Sequence, residues 1–230
     1  MTERRFAPRV LLAVLLGLPG VAALPFLVTL PPGVPPLAAM ANPAILLVLM
    51  ALAGAWAAPK LGLRSAMVLG SAVEGRGLAI WAALGLVAGL AVALADHALA
   101  PLWAVEGAAT LREGRGAATL VLGLLYGGMT EEVLFRWGLM ALLALGLLRV
   151  MPRRAALAVA VVLAALAFAL AHLPAVAMGV EGVTPPLLLR TLIWNGLLGL
   201  IYGAALLRQG LEGAMLAHAA THFGFALVAV

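Results

Sequence analysis

Runs of about twenty apolar residues, separated by short polar connections, fill almost the whole chain. A helix needs roughly 20 mainly apolar residues to cross a bilayer, and about a quarter of the residues in a soluble domain are charged. Here 65% of the 230 residues are hydrophobic and 10% are charged. The sequence therefore predicts an all-α fold, a polytopic membrane helical bundle that forms a single integral membrane domain over residues 1–230. The strand alternation of an outer-membrane barrel is not seen.

Seven spans are predicted, and an eighth in residues 61–71 is the alternative, so the bundle has about seven to eight transmembrane helices. An uncleaved first span is favoured over a secretory signal peptide because its apolar stretch continues through Val28. Cytoplasmic connections are richer in lysine and arginine, which predicts the N-terminus inside and the C-terminus outside. Arg190 counts against this orientation, and an eighth span would invert everything after it. The predicted spans are 9–30, 37–58, 78–98, 118–148, 155–173, 186–207 and 211–230.

Composition narrows the classes of function. The chain contains no cysteine, which excludes disulfides, thiolate nucleophiles and cysteine-bound zinc. Its 14 basic residues exceed its 9 acidic ones, and nearly all the basic residues are arginine, a bias typical of GC-rich bacterial genomes. No basic patch with interleaved aromatic residues exists, so nucleic acid is not a predicted partner. The predicted location is the inner (cytoplasmic) membrane of a bacterial cell, as a multi-pass protein in contact with the lipid bilayer.

Three ionisable residues lie close together in the fourth apolar run: Glu131, Glu132 and Arg136. Such groups cost roughly 3 kcal/mol each at the centre of a membrane helix on insertion scales, so they are rare and usually functional. Glu132 and Arg136 are four residues apart and are predicted to pair along their helix. Glu131 is rotated by about 100° from Glu132. It need not share that arginine and is the better candidate for a general base.

Three of the four histidines also fall in predicted spans that follow the glutamate pair. His172 closes the fifth span, while His218 and His222 lie four residues apart on one face of the last. Counting residues along the helices puts Glu131 near the middle of the membrane and His172 towards the outer end of its span. A common site therefore requires a tilted fourth helix or shifted loop boundaries, and the face from which substrate enters stays open.

The familiar intramembrane proteases do not match. The only serines, Ser65 and Ser71, lie outside the confident spans, and Asp96 is the only aspartate where an aspartyl protease needs two. The zincin motif His-Glu-x-x-His is absent. What remains is a water molecule activated by a carboxylate and assisted by imidazoles or by a metal ion that they bind.

The polar residues form three motifs, each in a separate predicted helix. The motifs are Glu131-Glu132-x-x-x-Arg136, Phe168-x-x-x-His172 and a His-x-x-x-polar motif that begins at His218. In this order they resemble the CPBP intramembrane proteases, also called the Abi family, which are relatives of the type II CAAX prenyl endopeptidase. The resemblance covers residues 131–222.

The resemblance implies a membrane-embedded but water-accessible site that hydrolyses peptide bonds. It implies that Glu131 and His172 activate water and that His218 and His222 hold the substrate carbonyl or its oxyanion. Glu132, Arg136 and Phe168 would organise the site.

The third motif departs from the family, because it usually ends in asparagine or aspartate and here ends in His222. A neutral imidazole can still donate to an oxyanion. The same substitution also makes His172, His218, His222 and Glu131 a candidate zinc set with three nitrogens and one oxygen. A reaction that requires no cofactor is favoured over one that requires zinc, but the residues leave this open.

Structural roles are the alternative for these residues: an ion-pair network for the glutamates, a helix cap for His172, and interhelical hydrogen bonds for His218 and His222. Asn195 is predicted to bond between helices or to contact the substrate backbone. Asp96 and His97 are predicted to be an interfacial pair at a helix end. The glycines just before the glutamate pair are expected to allow close helix approach.

The sequence therefore predicts an intramembrane endopeptidase that acts on membrane-associated peptides or proteins. Two alternatives stay open: a non-catalytic membrane protein of the same fold that acts in peptide immunity or as a scaffold, and a proton- or ion-coupled transporter that uses the glutamate and histidine cluster as a relay. The absence of an internal repeat counts against the transporter.

Overall fold

The computed structural model describes residues 4–28, 33 and 35–230. This part of the chain is helical almost throughout and contains no strand, which confirms the predicted all-α class. The end of the first predicted span and most of the following connection lie outside the described residues. The helices are α1 Phe6–Leu27, α2 Pro36–Lys60, α3 Gly75–Ala98, α4 Ala100–Trp103, α5 Ala117–Leu147, α6 Arg153–Ala171, α7 Leu173–Gly179, α8 Pro185–Gln209 and α9 Leu211–Leu227.

Six segments of the described chain are long and apolar enough to cross a membrane: α1, α2, α3, α5, α6 with α7, and α8. The seventh long helix, α9, has 17 residues, which is at the lower end of the length that spans a bilayer. The alternative eighth span is wrong. Residues 61–74 contain turns and no helix, and Ser65 fixes them by donating a hydrogen bond of 2.7 Å to Glu212 at the start of α9.

Small residues allow the helices of the bundle to approach closely. Helix α5 packs against α1, α2 and α9, while α9 also packs along α3. Thr130 of α5 donates a 2.6 Å hydrogen bond to the carbonyl of Gly17 in α1. Thr221 of α9 donates to the carbonyl of Gly85 in α3 at 3.0 Å. Contacts of this kind stabilise helix pairs in lipid, where the hydrophobic effect no longer drives association.

Helix α5 changes its winding where the acidic residues occur. Its segment Gly123–Met140 is a π-helix, between α-helical segments Ala117–Leu122 and Ala141–Leu147. π-helical winding is rare in proteins, and the segments that adopt it often lie at functional sites. Tyr126 and Glu131, five residues apart within this segment, both line the same cavity.

Candidate active site

A buried polar cluster joins α5 to α9. The Glu132 carboxylate oxygen Oε1 lies 3.2 Å from Arg136 Nη1, which confirms the predicted pair along the helix. The same oxygen lies 2.7 Å from His218 Nδ1. The side chains of Glu132 and Arg136 are 0% and 1% exposed, and Arg136 also donates to the carbonyl of Gly199 in α8. Pairing offsets part of the cost of burying these groups, although Glu132 Oε2 and Arg136 Nη1 have no hydrogen-bond partner among the described residues.

Glu131 lies on the wall of the cavity beside this cluster. Its oxygen Oε1 lies 3.9 Å from His172 Nε2, and its Oε2 lies 3.8 Å from His218 Nε2. Both distances exceed a direct hydrogen bond and fit contact through water. The structure therefore brings Glu131, His172 and His218 to one place, although residue counting put Glu131 and His172 at different depths.

The backbone of Phe168 fixes the orientation of His172. His172 Nδ1 lies 2.7 Å from the Phe168 carbonyl oxygen. A carbonyl only accepts hydrogen bonds, so Nδ1 carries a proton and donates it, and in the neutral ring Nε2 is left as an acceptor facing Glu131. The Phe168 ring packs edge-on against the His172 ring at 4.6 Å and the His218 ring at 5.7 Å. The Arg136 guanidinium lies 4.3 Å from its centre. These contacts place Phe168 at the centre of the cluster.

The histidines of α9 belong to a row of rings. Tyr202 stacks on His218 with centroids 4.2 Å apart and planes 14° apart. His218 stacks on His222 at 5.3 Å, and His222 meets Phe225 edge-on at 5.6 Å. Stacking holds both imidazoles in defined orientations. In the part of the chain that the structure describes, no hydrogen bond engages the His222 ring.

Gly127 of α5 lies directly against these imidazoles. A Cβ atom at this position would be 2.7 Å from His222 Nε2 and 3.1 Å from His218 Nε2. A Cβ atom at Gly123, one turn earlier, would be closer still to the His222 ring. The predicted role of the glycines near Glu131 was close helix approach; the structure shows that Gly127 keeps open the space in front of two imidazole nitrogens.

A cavity of about 400 Å³ connects these side chains. Both tyrosines of the chain, Tyr126 and Tyr202, line it. Sequence reasoning missed Tyr202, and the rarity of tyrosine in these spans was the available signal. The remaining lining residues are Leu111, Arg115, Thr119, Leu122, Gly123, Gly127, Glu131, Phe168, His172, Ala175, Arg190, Thr191, Trp194, Asn195, Leu198, His218, His222 and Phe225.

Asn195 lines the cavity, and its side-chain nitrogen donates to the carbonyl of Thr191 in its own helix at 2.9 Å. This bond lies within one helix and is not the predicted interhelical bond, and the substrate contact stays a prediction. The predicted interfacial pair of Asp96 and His97 is wrong. Asp96 is buried and accepts hydrogen bonds of 2.7 and 2.8 Å from Arg190 and of 2.9 Å from Trp194 Nε1.

The candidate zinc ligands do not form a metal site in this geometry. Among the described residues, no group of three or more histidine, aspartate or glutamate side chains is placed to hold a metal ion. Zinc requires three or four ligand atoms converging at about 2.0–2.2 Å. We therefore derive no step through a metal.

The fold and the site define a polytopic membrane protein with a glutamate and histidine cluster on the wall of an internal cavity. Residues 114–224 match the family described as Type II CAAX prenyl endopeptidase Rce1-like. This part of the chain is thus a domain of the CPBP/CAAX protease family, and the match spans all three motifs. No curated protein matches the chain, and no solved structure matches it.

Proposed function

We propose that this protein is an intramembrane endopeptidase that hydrolyses membrane-associated peptides or proteins with water activated by Glu131 and His172. The observation that carries the proposal is the position of Glu131 on the cavity wall, within 3.9 Å of His172 and 3.8 Å of His218. The family match supports the reaction class.

The neighbours of Glu131 suit a general base. His172 Nε2 is an acceptor because Nδ1 is committed to the Phe168 carbonyl. A water molecule in the cavity can therefore donate one hydrogen bond to Glu131 and the other to His172, which directs its lone pair at a substrate carbonyl carbon. Glu131 takes the proton as the oxygen–carbon bond forms. The same proton then passes to the leaving amine as the oxyanion collapses and the carbon–nitrogen bond breaks. The products are a free amine and a carboxylic acid, which loses its remaining proton to solvent.

The oxyanion formed in this step requires donors that are already in place. His218 Nε2 and His222 Nε2 both face the space next to Gly127. The Glu132 contact to His218 Nδ1 controls whether Nε2 donates. Nε2 donates a hydrogen bond when the imidazole carries a proton on both nitrogens. It also donates when Glu132 holds the proton that it shares with Nδ1. Glu132 and Arg136 thus organise the site through His218.

The test compares new protein N-termini in membranes from cells that carry wild-type or Glu131→Gln protein at matched levels. Glu106→Gln, which changes an exposed glutamate outside the cavity, is the matched control. General acid–base catalysis contributes about 10²–10⁴-fold, so termini present with wild type and Glu106→Gln should fall by at least 100-fold with Glu131→Gln.

Identical termini in all three strains would contradict the proposal. If cells with Glu131→Gln then behaved like wild-type cells while cells with a truncated chain did not, the non-catalytic scaffold would be supported. If flux of a solute into proteoliposomes depended on Glu131 with no cleaved product, the transporter would be supported.

A further inference from the structure

The two ends of the bundle carry different charges. One end holds the α2–α3, α5–α6 and α8–α9 connections together with the start of α1. Hydrogen bonds tie these segments to each other: Arg4 donates to the carbonyl of Met67 at 2.7 Å, Arg153 donates to that of Leu61 at 2.5 Å, and the Leu211 amide donates to that of Arg64 at 3.0 Å. We call this the arginine-rich end. Its basic residues are Arg4, Arg5, Lys60, Arg64, Arg76, Arg149, Arg153, Arg154 and Arg208, and its acidic residues in the described chain are Glu74 and Glu212.

The opposite end holds the α3–α5 and α6–α8 connections and the C-terminus. Asp96 binds Arg190 and accepts from the Leu111 amide at 2.7 Å. Arg112 donates to the carbonyl of Val228 at 2.6 Å, and the Val230 amide donates to the carbonyl of Arg112 at 3.0 Å. We call this the acidic end. Its charged residues in the described chain are Asp96, Glu106, Glu113, Glu181, Arg112, Arg115 and Arg190.

Arg190 does not weaken this asymmetry. Its guanidinium is 13% exposed and holds a two-point ion pair with Asp96, whose side chain is 0% exposed. It is therefore a structural partner of a buried aspartate and not a free basic residue of the connection. The positive-inside rule concerns lysine and arginine in short connections. The arginine-rich end is thus the cytoplasmic one.

The cavity lies towards the acidic end. Leu111, Arg115 and Ala175, which come from the two connections of that end, line it, and no lining residue comes from the connections of the arginine-rich end. The reactive side chains follow the same polarity. His172 comes directly after α6, which runs from the arginine-rich end to the acidic end, and His222 lies in the last third of α9, which runs the same way.

We infer that the active-site cavity opens to the non-cytoplasmic side of the membrane, so that the substrate is a polypeptide segment exposed on that side. The statement that the occupant is a substrate rests on the proposed function, whereas the direction of the opening does not depend on it. A lipid-modified chain end presented from the cytoplasm would approach the arginine-rich end, where the structure places no lining residue of the cavity.

The first test uses the absence of cysteine from the chain. We would make Ala72→Cys in the α2–α3 connection, Glu181→Cys in the α7–α8 connection and Ala175→Cys at the cavity, all at exposed positions. A charged thiol reagent that does not cross membranes is applied to intact and to permeabilised spheroplasts. A thiol protein of the cytosol checks that the reagent stays outside.

Glu181→Cys and Ala175→Cys should label equally in intact and permeabilised spheroplasts, whereas labelling of Ala72→Cys should rise several-fold only on permeabilisation. The reverse pattern would overturn the inference. Labelling of Glu181→Cys from outside with Ala175→Cys protected in both preparations would also overturn it, because the cavity would then be closed to that side.

The second test uses the N-termini that depend on Glu131. The new termini should lie in segments of membrane proteins or peptides outside the cytoplasm. Termini that depend on Glu131 but lie in cytoplasmic segments would refute the direction of the opening and support the protease. The absence of such termini, with the labelling pattern as expected, would refute the protease and leave the direction standing.

Discussion

The substitution Gly127→Ala tests the oxyanion role of the two histidines by filling the space in front of them. The added methyl group would sit 2.7 Å from His222 Nε2 and 3.1 Å from His218 Nε2. These are the distances at which donors hold an oxyanion. The methyl group therefore competes with the substrate oxygen for one position, and the imidazoles cannot retreat far because Tyr202 and Phe225 pack against them.

The expected loss follows from the number of donors affected. Removing one oxyanion donor lowers turnover by about 10²–10³-fold, which is about 3–4 kcal/mol. Because the methyl group meets both nitrogens, Gly127→Ala should lower turnover by at least 100-fold. Alanine in place of glycine otherwise favours a helix by up to about 1 kcal/mol, so any loss of stability should come from the crowded contact alone.

The neighbouring glycine provides the control. A Cβ atom at Gly128 would be 3.0 Å from the Cβ of Ala219 on α9 and has neither histidine among its nearest contacts. Gly128→Ala thus crowds the same helix pair without occupying the catalytic space. The assay follows cleavage of a peptide that contains the site found by comparing N-termini, per amount of folded enzyme. Wild-type turnover in Gly127→Ala, or equal losses in both variants, would refute the oxyanion assignment.

Three further predictions follow from the ligand geometry and the buried charges. Removal of divalent metals with a chelator should leave cleavage unchanged, and activity that is lost and then restored by Zn²⁺ would establish the zinc alternative. Asp96→Asn should lower thermal stability in detergent by on the order of 3 kcal/mol relative to Glu106→Gln, since it leaves Arg190 without its carboxylate; an unchanged melting temperature would contradict this. Glu132→Gln should destabilise the protein by a similar amount because buried Arg136 loses its counter-charge. Glu131→Gln should melt like the wild type, and equal melting of the two variants would show that the carboxylates do not differ.

The sequence predicted the parts of the site that depend on local spacing. Glu132 and Arg136 pair because residues four apart share a helix face. The same spacing brings the Phe168 carbonyl within reach of His172, a contact that was not predicted. The family resemblance then supplied the order of the motifs, and the match over residues 114–224 confirms the family.

Contacts between segments that are distant in the sequence could not be predicted from local spacing. Asp96 and Arg190 are 94 residues apart, and their pairing depends on how α3 packs beside α8. From spacing alone, Asp96 looks like a solvated residue at a helix end. Tyr202 was missed for the same reason, since its stacking on His218 requires the approach of α8 to α9.

The two adjacent glutamates show how one residue type takes two roles in a membrane site. Glu132 is fully buried and contacts Arg136 and His218, so its side chain is held in place and cannot approach a substrate. Glu131 is 14% exposed, lines the cavity and lies beyond hydrogen-bond distance of both imidazoles. A general base must both reach water and change its proton during the reaction. Only Glu131, which has no arginine beside it, meets both conditions. Because His218 lies next to both carboxylates, Glu132 can influence Glu131 through this imidazole.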